Sequence, residues 1–136
     1  MLRFIFFSLI VVYSCQIFES NEINVISDAQ FIEIQDTDFI LVDVRTFEEY
    51  ESGHIQDAVN FDFYSESFQN DVLTLEKSVS IILYCRTQNR STKTANFLKE
   101  NGYKEINVLE GGITSWVKNG NDLVYNSSEE IKSREE

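Results

Sequence analysis

The chain has 136 residues, of which 43% are hydrophobic and 25% charged, with a formal net charge of -12. That supports one compact domain with a real core, and no Gly/Ser linker, internal repeat or low-complexity block points to a second. So acidic a chain excludes nucleic acid as a partner, and the absence of proline excludes a Pro-rich or collagenous chain.

Residues 1–20 have the layout of a secretory signal. Arg3 supplies the positive region, and Phe4-Ile5-Phe6-Phe7-Ser8-Leu9-Ile10-Val11-Val12 is an apolar run shorter than the ~20 residues a membrane span needs. Val12-Tyr13-Ser14-Cys15 resembles a bacterial lipobox, with cleavage before Cys15 and a lipid on its sulfur as the attachment to the membrane. Tyr13 departs from that pattern, where a smaller residue is usual. The expectation is an exported protein of the cell envelope or periplasm, against the alternative of a buried amino-terminal strand or helix. Once Cys15 is lipidated or removed, Cys85 is the one thiol of the mature chain, and a disulfide within one molecule is excluded. A lone thiol outside the cytoplasm risks oxidation, which favours use over accident.

Residues 21–120 read as the domain. Ile23-Asn24-Val25-Ile26 is a short strand, and Ser27 caps a helix over residues 28–34. Phe39-Ile40-Leu41-Val42-Asp43-Val44 is a continuous apolar run, the mark of a strand covered on both faces. Thr46 caps a short helix through Glu51, Ala58-Val59-Asn60-Phe61 is a third strand, and residues 63–77 hold one or two short helices. Ser80-Ile81-Ile82-Leu83-Tyr84 is the fourth strand. Residues 91–101 form an amphipathic helix that opens at Ser91 and closes at Gly102, a left-handed C-cap position with Tyr103 as its apolar partner. Ile106-Asn107-Val108-Leu109 is the fifth strand, Gly111-Gly112 leads into a helix over residues 113–118, and residues 121–136 are a polar, fraying tail. Strands alternating with helices give an α/β fold with a mostly parallel sheet and helices on both faces.

The fourth strand ends in Cys85-Arg86-Thr87-Gln88-Asn89-Arg90-Ser91. Ligands of parallel sheets sit beyond the carboxyl ends of the strands, where Cys85 falls. The charge is distributed accordingly. Residues 16–84 carry fifteen acids against two bases, whereas residues 85–94 carry Arg86, Arg90 and Lys93 and no acid. Free N–H groups of a helix amino terminus, its dipole and two guanidinium groups all favour an anion. A cysteine in that field is expected to be nucleophilic near neutral pH.

Three motifs together resemble the rhodanese (sulfurtransferase) family over residues 23–120. They are Leu41-Val42-Asp43-Val44-Arg45-Thr46 with Glu48-Glu49-Tyr50 and Gly53-His54-Ile55; Tyr84-Cys85 through Ser91; and Leu109-Glu110-Gly111-Gly112-Ile113 with Trp116. The resemblance implies a single-domain, five-stranded member that moves a sulfane sulfur through a Cys85 persulfide. The donor is a small anion such as thiosulfate and the acceptor cyanide or a thiol, with no cofactor and no metal, and the chain is expected to be a monomer. Arg86, Thr87, Gln88, Asn89, Arg90 and Ser91 are the substrate-binding loop, with Arg86 and Arg90 on the donor's oxyanion, Thr87 and Asn89 either touching substrate or shaping the turn, and Ser91 capping the helix. Gln88 stands where glycine is frequent, so it is expected to strain the loop or narrow the pocket. Phe47 stands where proline is frequent, a mild change. His54 is expected to make a structural hydrogen bond, Trp116 to pack in the core, and Asp43 and Arg45 to form a buried pair or anchor the loop, with ligand contact the other possibility.

Two rival readings accompany this one. A phosphatase or arsenate reductase of related fold uses a Cys-x5-Arg loop, usually after a histidine; here the spacing is Cys-x4-Arg, after Tyr84. A non-catalytic binding or sulfur-carrier module keeps the fold without the reaction.

Overall fold

The computed structural model describes residues 23–125. The expected leader, its lipid site at Cys15 and residues 126–136 of the expected tail lie outside the described residues. Ten elements alternate: β1 (Asn24–Ile26), α1 (Asp28–Glu33), β2 (Phe39–Asp43), α2 (Phe47–Glu51), β3 (Val59–Asn60), α3 (Phe68–Val72), β4 (Ser80–Tyr84), α4 (Asn89–Glu100), β5 (Ile106–Leu109) and α5 (Gly112–Lys118). The strands form one sheet in the order β1-β5-β4-β2-β3, and every neighbouring pair is parallel.

β4 lies at the centre, paired with β2 in register from Phe39↔Ser80 to Asp43↔Tyr84. Its side chains divide with the period of two that a pleated strand imposes. Ile81, Leu83 and Cys85 face α3 and α4, packing with Phe68, Val72, Ala95 and Leu98. Ile82 and Tyr84 face the other layer, with Phe31 of α1, Tyr50 of α2, and Ile113 and Trp116 of α5. A run apolar at every position is what a strand buried on both sides requires.

Local signals set the helix ends. Ser27 and Thr46 each close a capping box, with Gln30 and Glu49 as the reciprocal partners. Past α4, Gly102 takes φ +87°; its N–H donates to the Lys99 carbonyl at 3.1 Å and that of Tyr103 to the Leu98 carbonyl at 3.2 Å. These are the two bonds of a Schellman motif, which glycine closes without a Cβ clash.

Residues 63–77 hold one short α-helix, α3, within the one or two expected. The structure corrects two other expectations. α4 opens at Asn89 rather than at Ser91; Gln88 occupies the N-cap position without a side-chain cap bond, and Ser91 lies inside the first turn. Residues 121–125 are held against the domain rather than frayed. His54 and Val124 exchange backbone hydrogen bonds at 3.0 and 2.9 Å, and Leu123 packs on the cluster around Trp116. The Trp116 indole N–H is part of the reason: a buried donor needs an acceptor, and the Asp122 carbonyl supplies it at 2.8 Å. Among the described residues no helix is long and apolar enough to cross a membrane.

Candidate active site

At the carboxyl edge of the sheet the ends of β2 and β4 lie side by side. Beyond β4, Cys85 is 1% exposed and its sulfur accepts the Ser91 hydroxyl at 3.5 Å. The same hydroxyl lies 3.0 Å from the Gln88 carbonyl. Ser91 therefore serves the sulfur and the loop rather than the helix N-cap it was expected to fill. Among the described residues, the N–H groups of residues 86–91 have no protein acceptor. A turn of donors entering a helix is an arrangement that can stabilise an anion.

The outward carbonyls of the loop are taken up by α5. The Ile113 N–H donates to the Cys85 carbonyl at 2.9 Å, and the Thr114 N–H and hydroxyl donate to the Arg86 carbonyl at 3.1 and 2.7 Å. This docking depends on Gly112, which takes φ +58° and where a Cβ would overlap the carbonyl oxygens of Cys85 and Thr87. Gly112 of the third motif is thus a packing requirement of the cysteine loop, whereas a Cβ on Gly111 would meet Ser115 of α5 itself.

The two arginines expected on the substrate behave differently. Arg90 is committed to Glu49 of α2 in a two-bond ion pair, at 2.6 and 2.9 Å. Tyr64 lies over its guanidinium at 5.7 Å from the ring centre. Glu49 is fixed in turn, because the same carboxylate accepts the Thr46 N–H at 3.0 Å. The hydrogen bond from Arg90, with that of Thr46 and against the cost of burial, lowers Glu49 from 4.5 to about 2. Arg90 is raised, mainly by Glu49 and to a lesser extent by the Cys85 sulfur and Tyr64, which outweigh its burial. Glu49 belongs to the first motif, but its partner lies 41 residues away, beyond the reach of any local pattern.

Arg86 is exposed, and among the described residues it forms no ion pair. Its side chain borders a groove of about 430 Å³ whose other walls include Glu49, Ile113, Thr114, Val117 and Leu123. Thr87 and Asn89 are exposed on the loop. Gln88 takes φ -159°, outside the left-handed region, and its side-chain oxygen accepts the Gly111 N–H at 3.3 Å. The expected strain is absent, and the side chain braces the loop against α5.

At the neighbouring strand end, Asp43 and Arg45 are the expected buried pair, 2.6 Å apart. Arg45 also donates to the Gly53 carbonyl at 2.8 Å, and the Tyr84 hydroxyl accepts the Ile55 N–H at 3.1 Å. Burial pulls Arg45 down, but the Asp43 hydrogen bond and charge outweigh it. Burial, reinforced by the Asp43 charge, raises Tyr84 and keeps it a neutral phenol. His54 is buried, stacked on Tyr50 at 3.8 Å, with Nδ1 3.2 Å from the Tyr50 carbonyl. It is a structural residue, as expected. Among the described residues no group of three His, Cys, Asp or Glu side chains is arranged to hold a metal.

Comparison with known proteins agrees with this geometry. The family model described as "Rhodanese-like domain" matches residues 27–119. A probable molybdopterin-synthase adenylyltransferase of Porphyra purpurea is 38% identical over 90 residues, 64% of this chain and 23% of that protein. A tRNA uridine(34) hydroxylase of Wigglesworthia glossinidia brevipalpis is 36% identical over 86 residues, 59% of this chain and 27% of that protein. The chain thus spans about a quarter of these curated relatives. Among solved structures, a rhodanese-related protein from Thermoplasma volcanium superposes with a TM-score of 0.69 at 27% identity, covering 76% of this chain and 99% of its own. With a parallel sheet, a cysteine loop at its carboxyl edge and a family match over most of the domain, the chain belongs to the rhodanese-like family.

Proposed function

We propose that the protein is a sulfurtransferase working through a Cys85 persulfide. The observation that carries this reading is the buried Cys85 sulfur accepting the Ser91 hydroxyl, at the head of a loop whose N–H groups have no protein acceptor among the described residues. In the first half-reaction the thiolate attacks the sulfane sulfur of a donor such as thiosulfate. The new S–S bond forms at Cys85, the donor's S–S bond breaks, and sulfite leaves with the electron pair. A nucleophilic acceptor, cyanide or a thiol, then takes the outer sulfur and returns the Cys85 thiolate. This is covalent catalysis in two displacements. Arg86 meets the anion at the mouth of the loop, and the amides of residues 86–91 hold the charge on sulfur.

One observation favours the rival binding-module reading: Cys85 is 1% exposed, which restricts the approach of donor and acceptor to its sulfur. A thiocyanate assay with thiosulfate and cyanide separates the two. The sulfurtransferase reading expects turnover that Cys85→Ser abolishes. A chain that alkylates at Cys85 but transfers no sulfur, from thiosulfate or from persulfide donors, is a binding module. Hydrolysis of a phosphate ester without sulfur transfer would favour the phosphatase reading. On the same proposal the leader exports the protein to the cell envelope, and the mass of the mature amino terminus reports whether Cys15 is lipidated, removed or retained.

A further inference from the structure

The positive charge that the sequence places around Cys85 is largely cancelled in the fold. Three arginines stand at this edge of the sheet, but Arg45 is paired with Asp43 and Arg90 with Glu49. Lys93, one turn along α4, borders a separate cavity with Phe63, Phe68 and Phe97. Arg86 is left as the guanidinium beside the loop without an ion pair among the described residues. Glu49 is no loose surface carboxylate that salt or thermal motion readily separates. Its two oxygens take both terminal nitrogens of Arg90, and one of them is also held by the Thr46 N–H. A two-bond arginine–carboxylate pair is among the stronger arrangements available to these groups. The groups facing Arg90 are Glu49 from α2, Cys85 from the end of β4, and Tyr64 from the segment before α3.

We infer that Glu49 is a positioning residue that withholds the charge of Arg90 from the sulfur, fitting the site to a donor with a single negative charge. The candidate class is the organic thiosulfonate or hydropersulfide monoanion, ahead of the thiosulfate dianion. This inference rests on the sulfurtransferase reading and deepens it. With a thiosulfonate, the Cys85 thiolate attacks the terminal sulfur, the S–S bond breaks, and a sulfinate leaves with the electron pair. Glu49 acts through Arg90 and touches no reacting atom. Removing its charge makes the field at Cys85 more positive whether or not Arg90 then moves, because a pair of net charge zero becomes a lone cation. The sign of the effect is therefore fixed in advance.

The test compares methanethiosulfonate with thiosulfate as donors, measured as kcat/KM, in the wild-type chain, Glu49→Gln and Glu49→Asp. The wild type should prefer the monoanion. Glu49→Gln should shift the ratio toward thiosulfate by about threefold to tenfold, as expected for ~1 kcal/mol acting on one extra charge. Glu49→Asp, which keeps the charge, should retain the wild-type ratio even if it loses stability. A merely structural role would lower both donors together in both variants. A wild type that prefers thiosulfate, or a Glu49→Gln ratio unmoved or shifted toward the monoanion, overturns the inference. A second arm is independent of sulfur transfer: peptide-resolved alkylation of Cys85 by iodoacetate against iodoacetamide. Glu49→Gln should raise the anionic-to-neutral rate ratio by a similar factor. If no variant transfers sulfur, the proposed function fails, and the alkylation ratio still decides whether Glu49 sets the charge at Cys85.

Discussion

The carboxyl ends of β2 and β4 are neighbours in the sheet, and both carry charged or ionisable side chains, yet they do opposite things. At the β2 end the polar groups close on one another. Asp43 holds the Arg45 guanidinium and backbone N–H, Arg45 reaches the Gly53 carbonyl, and the Asn60 amide joins the Asp43 and Arg45 carbonyls. At the β4 end the donors are left open: among the described residues the amides of residues 86–91 have no protein acceptor, and the sulfur at the head of the loop takes the Ser91 hydroxyl. The difference separates structure from chemistry: a buried polar cluster that satisfies itself supports the fold, whereas one with donors to spare can stabilise an added anion.

Substitutions at the two strand ends should have different consequences. The largest effect is expected at the open end, where Cys85→Ser should remove sulfur loading altogether while leaving the circular dichroism spectrum unchanged. At the closed end, Asp43→Ala leaves a buried guanidinium unpaired, and urea unfolding should show a loss of about 3–5 kcal/mol. Gly112→Ala acts where α5 docks on the cysteine loop. It combines an unfavourable φ with a clash against the loop carbonyls, so about 2 kcal/mol of stability and most of the loading rate should go together. Preserved loading in a stable Gly112→Ala protein would contradict the role given to α5.

The smallest effect is a pH dependence. Glu49 is lowered from 4.5 to about 2 in the folded chain, so the stability contributed by its pair with Arg90 is fully present above pH 4.5. It is lost as pH falls from there toward about 2, because the unfolded chain takes up the proton first. The urea midpoints of wild type and Glu49→Gln should differ by a constant amount above about pH 5 and converge below it. A gap that persists unchanged at about pH 2.5 would show that the pair contributes nothing through this carboxylate.

Much of the fold was legible because its signals are local. The apolar strands, the caps at Ser27 and Thr46, and the Gly102-Tyr103 helix end depend on residues within a turn of one another. The position of Cys85 at the sheet edge follows from the same alternation. Contacts that cross the chain were not legible. The partner of Arg90 lies on α2, the strand-like contact of Val124 is made with His54, and the Gln88 side chain finds Gly111. Ser91 was misread because serine before a helical pattern suggests an N-cap; the helix begins two residues earlier and turns the hydroxyl toward the sulfur.

Mass spectrometry of the Cys85 peptide, after brief exposure to a sulfane donor and before any acceptor is added, reports the covalent intermediate itself. Cys85 should gain one sulfur atom, discharged by cyanide as thiocyanate. A Cys85 that is alkylated readily yet stays at its unmodified mass with thiosulfate, thiosulfonate and persulfide donors alike would contradict the persulfide mechanism.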